Sequence, residues 1–160
     1  MDQNENLKIK KANEEDVSTI VDIHKVCISQ TNARAYPKAV INEWLQQISK
    51  QAVLDQIDTT VWLLLINENS VIGFCQYNLE GKELYQIQIL PEHQEKGHRK
   101  YLYEYIEDDF IKNNKSKISL FATLNAVDFY KSVGFKPIKK IKFPLTKGYI
   151  DMIKMSKKLG

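Results

Sequence analysis

The sequence predicts an α/β fold in a single domain spanning residues 1–160, a central mixed β-sheet of about seven strands flanked by about four helices. Three observations lead there. Short β-branched and apolar runs at residues 59–66 (TTVWLLLI), 71–77 and 83–90 follow one another with turn signals between them, the pattern of an antiparallel meander. Segments with apolar residues three and four apart lie before and after these runs and read as helices. The chain has 160 residues, 43% hydrophobic and 27% charged, which suits one globular core.

Taken in order, residues 7–11 form a first short strand. Asn13 is an N-cap candidate, with Glu14, Glu15 and Asp16 placing negative charge in the first turn of a helix. Val17, Ile20, Val21, Ile23, His24 and Cys27 keep a helical period behind it. Tyr36-Pro37 opens a second helix, since proline is tolerated at the first helical position, with Val40, Ile41, Trp44, Leu45 and Ile48 on its buried side. Residues 51–57 add a further turn. The strands at 59–66 and 71–77, joined by Asn67-Glu68-Asn69-Ser70, make a hairpin. A break at 78–82 containing Gly81 leads to the strand at 83–90, which Pro91 stops. A helix over 98–113 buries Leu102, Tyr105, Ile106 and Phe110. A strand at 117–122, a short helix at 125–132 and strands at 138–143 and 149–156 complete the chain.

Composition narrows the function classes. No apolar run approaches bilayer length and the polar start MDQNENLKIKK lacks the apolar centre of a signal peptide, so a cytoplasmic protein without a membrane partner is expected. The net charge of +3 does not call for a nucleic acid partner. Lysines between 136 and 158 alternate with apolar residues and read as solvated faces of the terminal strands. Cys27 and Cys75 have no metal-like spacing and read as reduced core residues, and no metal set emerges. His24 lies on the inner side of its helix, His93 and His98 lie in or beside a turn, and Trp44 and Trp62 read as core.

Two segments carry chemistry. The first is Gln94-Glu95-Lys96-Gly97-His98-Arg99, a glycine-bearing turn between a strand and a helix, where backbone N–H groups can converge on phosphate. Arg99 is the misfit, because a small residue there would let a pyrophosphate approach most closely. The second is Leu124-Asn125-Ala126-Val127-Asp128-Phe129-Tyr130-Lys131-Ser132-Val133-Gly134-Phe135. A strand, a Gln-x-x-Gly turn, a helix, a strand and then Asn-Ala-x-x-Phe-Tyr-x-x-x-Gly-Phe together resemble the GCN5-related N-acetyltransferase (GNAT) superfamily, and the order of elements is also that of this fold.

The resemblance implies an acyltransferase of the N-acetyltransferase type that uses acetyl-CoA as co-substrate and an amine as acceptor. It implies that backbone groups near Ile87 and Ile89 bond the pantetheine arm. Gln94, Glu95, Lys96, Gly97, His98, Arg99 and Lys100 would surround the pyrophosphate, and Asn125 would touch the cofactor. It implies that Tyr130, also beside the cofactor, protonates the departing thiolate, and that Glu83 or water takes the amine's proton. Tyr36 and Trp44 become acceptor-site candidates, and a homodimer is an option. The alternative is a CoA-binding pseudo-acetyltransferase with a regulatory or interaction role. A dinucleotide-binding Rossmann fold fits poorly, because it needs another glycine pattern and a downstream acidic residue.

Overall fold

The computed structural model describes residues 6–160, so the first part of the polar start lies outside it. Seven strands form one sheet: β1 (Leu7–Lys11), β2 (Val61–Asn67), β3 (Ser70–Asn78), β4 (Glu83–Ile89), β5 (Lys117–Thr123), β6 (Lys136–Pro144) and β7 (Tyr149–Lys158). Their spatial order is β1-β2-β3-β4-β5-β7-β6. Every neighbouring pair is antiparallel except β4 and β5. Among the described residues five α-helices accompany the sheet: α1 (Val17–Val26), α2 (Lys38–Gln46), α3 (Lys50–Leu54), α4 (His98–Lys112) and α5 (Val127–Ser132). The fifth is α3, which sequence reading gave only as an extra turn. Ser49 makes it a helix by accepting a hydrogen bond from the Ala52 N–H at 3.1 Å.

The sheet separates two apolar layers. Leu63, Leu65, Cys75, Ile87 and Ile89 face α4 and α5, while Trp62, Leu64, Phe74 and Ile150 face α1, α2 and α3. Asn13 caps the first turn as expected, accepting from the Glu15 N–H at 2.8 Å, while Asp16 returns a bond to the Asn13 N–H at 2.9 Å. In α4 the expected buried stripe holds at Leu102, Ile106 and Phe110 but not at its tyrosine: Tyr105 is exposed and Tyr103 is buried. At about 100° per residue, Tyr103 and Tyr105 lie about 20° beyond opposite ends of the arc from His98 through Leu102 and Ile106 to Phe110, so periodicity does not rank them; Tyr103 is the one that meets the Phe129 and Phe135 rings.

Two irregularities shape the middle of the sheet. The register slips between Gln76 and Tyr77, so that Tyr77 faces Leu84, Gln76 faces Gln86, and Tyr85 is the extra residue on β4. The parallel β4–β5 pairing consists of Glu83 opposite Ser119, braced by the Ser119 N–H donating to Lys82 O at 2.9 Å. Past that pair β4 continues to Ile89 and β5 to Thr123 with no ladder between them. The two strands therefore diverge into a cleft.

Candidate active site

Each wall of the cleft has a local cause. The Leu90 N–H donates to Ile72 O, so by alternation the backbone groups of Ile87 and Ile89 point away from β3 into the cleft. Ile89 O is already taken there, accepting from Gln94 Nε2 at 2.9 Å and from Cys27 Sγ at 3.3 Å. The open positions are thus the Ile87 groups and the Ile89 N–H. Gln94 is a brace: its side chain also donates to Thr31 Oγ1 at 2.9 Å, and its own N–H donates to Pro91 O at 3.2 Å. The sequence placed it among the phosphate-facing residues; in the fold its donors are spent on the protein.

The rest of the turn remains open. Glu95 and Gly97 have left-handed backbones, φ 61° and 82°, and a Cβ placed on Gly97 would meet nothing within 4 Å. No side chain caps α4, and its first intrahelical bond runs from the Tyr101 N–H to Gly97 O. The N–H groups of His98, Arg99 and Lys100 therefore have no partner within the helix and project from its positive end. A recess of about 410 Å³ opens here, lined by Arg34, Arg99 and Lys100 among others. Arg34 was not singled out from sequence. Lys96 is exposed and does not line the recess. The His98 imidazole is buried, with Nδ1 unpartnered, and burial first, then His93 and Lys96, depress its pKa.

A second cavity of about 310 Å³ continues the cleft toward β5, β7 and α2. Arg99 and Asn125 line both spaces. The Arg99 guanidinium lies 5.2 Å from the centre of the Phe129 ring and makes no salt bridge among the described residues. Glu83 and Tyr130 line the second cavity together. Burial raises the Glu83 pKa, and Lys154 opposes that rise. Burial pushes the Tyr130 phenol up to about 12, against the nearby charge of Arg99. Four tyrosines are buried: Tyr36, Tyr77, Tyr103 and Tyr130. The Tyr77 hydroxyl donates to Asp109, the Tyr103 hydroxyl donates to Glu107, and the Tyr36 hydroxyl donates to Asp151 O and accepts from the Leu124 N–H. The Tyr130 hydroxyl alone has no partner among the described residues.

A sequence model of the acetyltransferase (GNAT) domain matches residues 29–159. The chain belongs to the GNAT acetyltransferase family. It carries an acyl-CoA-dependent N-acetyltransferase domain. No curated protein sequence matches it. Among solved structures, a GCN5-related N-acetyltransferase from Rhodopseudomonas palustris superposes with a TM-score of 0.89 at 15% identity, over 95% of each chain. PaiA N-acetyltransferase from Thermoplasma acidophilum, in complex with coenzyme A, superposes at 0.80 with 24% identity, over 96% of this chain and 99% of that one. A spermidine N-acetyltransferase SpeG variant from Vibrio cholerae gives 0.68 at 21%, over 97% and 95%. These likenesses establish the fold.

Within the GNAT fold the sequence missed the segment after α1. The helix does not stop near Cys27 but widens into a π-turn, Cys27–Thr31, followed by a 3₁₀ turn, Asn32–Arg34. That widening brings Thr31 and Asn32 to the cleft, where Asn125 Nδ2 approaches Asn32 Oδ1 at 3.5 Å. No apolar period marks it. Trp44 lines the cavity, but Tyr36 stands behind it, edge to face at 5.4 Å between ring centres. Cys27 and Cys75 are buried free thiols, and burial pushes the Cys27 thiol up to about 12, which keeps it protonated. Among the described residues no His, Cys, Asp or Glu cluster could hold a metal ion, and no helix is long and apolar enough to cross a membrane.

Proposed function

We propose that this domain transfers the acetyl group of acetyl-CoA to a primary amine by direct attack. The observation that carries the reading is the unpartnered Tyr130 hydroxyl in a cavity continuous with the open N-terminus of α4. The His98, Arg99 and Lys100 N–H groups hold the pyrophosphate, and Arg34, Arg99 and Lys100 add charge. Ile87 and the Ile89 N–H bond the pantetheine arm as an added strand would. The amine nitrogen forms its bond to the thioester carbon, the carbon–sulfur bond breaks, and Tyr130 gives its proton to the leaving thiolate. The amine's proton goes to Glu83 or to a water beside it. Neither cysteine suits an acyl-enzyme route, because each is buried and held as the thiol.

Calorimetric titration with acetyl-CoA, paired with free-thiol release over an amine panel, tests the reading; no binding at millimolar acetyl-CoA sinks it. Arg99 answers its own question in the same titration. Its guanidinium has no carboxylate partner among the described residues and borders both spaces, so Arg99→Ala is expected to weaken acetyl-CoA about tenfold, the worth of one charge-assisted contact. Tighter binding would mean that the side chain obstructs the cradle.

A pH–rate profile addresses the base. A carboxyl accepting a proton must first be ionised, and burial raises the Glu83 pKa, so activity should rise with pH through a limb above the ordinary carboxylate range. Glu83→Gln should abolish that limb and lower kcat/KM on the plateau by about 10²-fold. An unchanged limb would assign the role to water alone.

A further inference from the structure

The acceptor half of the cavity carries a pattern that bears on its substrate. Its apolar lining is Trp44 on α2, Ile48 just after α2, Phe121 on β5, Phe143 on β6, Leu145 just after β6, and Met152 on β7. Among the described residues Glu83 is the one carboxylate lining it, and Lys154 already acts on that carboxylate. The Lys139, Lys140 and Lys142 side chains of β6 do not line it.

Among the neutral side chains lining it, Gln88 is the one at the end of a chain of amides that fixes its direction. Gln56 Nε2 donates to Ala52 O at 3.3 Å, and a carbonyl oxygen can only accept, which leaves Gln56 Oε1 to receive Gln76 Nε2 at 2.7 Å. Gln76 Oε1 then receives Gln86 Nε2 at 2.9 Å, and Gln86 Oε1 receives Gln88 Nε2 at 3.2 Å. The chain ends at Gln88, which lines the cavity and whose Oε1 has no partner among the described residues. The slip at Gln76/Tyr77 pairs Gln76 with Gln86 across β3 and β4, so the ladder follows from the register.

Building on the proposed function, we propose that the acceptor is a monoamine on an apolar body, an aralkylamine or branched alkylamine, whose amine N–H donates to Gln88 Oε1. An apolar wall rewards such a body and penalises a second ammonium, which would lose its hydration with no carboxylate to meet it. A polyamine brings two or more such charges. The single amine needs one neutral acceptor and one proton acceptor nearby, which Gln88 and Glu83 supply.

The test measures acetyl-CoA-dependent thiol release with 2-phenylethylamine, isoamylamine, spermidine and a lysine peptide. The aralkylamine or the branched amine should exceed spermidine in kcat/KM by about 100-fold or more. Gln88→Leu should raise KM for the preferred amine about tenfold while kcat and acetyl-CoA affinity stay within about twofold. Gln88→Glu, which adds a second carboxylate, should narrow the gap to spermidine. Preference for spermidine or the peptide overturns this inference and leaves the acetyltransferase reading standing; no thiol release above the amine-free rate with any amine overturns both. An unchanged KM in Gln88→Leu removes the amine contact.

Discussion

Tyr130→Phe is expected to lower kcat about 10²–10³-fold while acetyl-CoA affinity changes by less than about twofold. The split follows from what the hydroxyl does and does not touch. It holds no other side chain in place, so its removal leaves no buried donor or acceptor orphaned, and the ring keeps its edge contacts with Phe129 and Phe135 at 5.2 and 5.6 Å between centres. Stability should therefore stay within about 0.5 kcal/mol of the parent, the range of changes that disturb no partner. Tyr103→Phe is the internal control. Its hydroxyl donates to Glu107 at 3.0 Å, so that change should cost stability and spare kcat. Stopped-flow thiol release and calorimetry read both quantities, and a kcat within threefold of the parent in Tyr130→Phe would remove the phenol as the acid.

The fold was legible because its signals are local. The hairpin at β2 and β3, the stop at Pro91 and the periodic faces of α1 and α2 each depend on neighbours in sequence. Of the candidate site, the motifs pointed to Gly97, Arg99, Lys100, Asn125 and Tyr130, and all five line the two spaces. What escaped depends on contacts far apart in the chain. Gln94 looks like any polar turn residue until Thr31, 63 positions away, and Ile89 O take its amide. Gln86 and Gln88 alternate with apolar residues in β4 as a half-solvated strand would, and only pairing with β3 turns them into the end of a ladder reaching Gln56. Tyr105 and Tyr103 exchange places because two tyrosines near the edge of one stripe cannot be ranked without the sheet beneath them.

Phe110→Ala should cost about 3–5 kcal/mol, the loss of a fully buried ring plus the cavity it leaves. Phe110 has no exposed surface, and its ring centre lies 5.6 Å from that of Tyr77, whose hydroxyl donates to Asp109 Oδ2 at 2.6 Å. The neighbouring ring thus loses a packing partner while its polar end stays tethered, which limits collapse into the gap. A domain of ordinary stability, about 5–15 kcal/mol, would keep a narrow margin. Acetyl-CoA at about a hundred times its Kd should restore about 2.7 kcal/mol by mass action. That increment should match the parent's, because at about 1.5 Å per residue Phe110 lies about 18 Å along α4 from the phosphate-facing His98 N–H. Urea unfolding of both proteins with and without acetyl-CoA measures the four values. A loss under about 1 kcal/mol would contradict the packing account. A smaller ligand increment in the variant would mean that the core under α4 and the cradle at its start act as one unit.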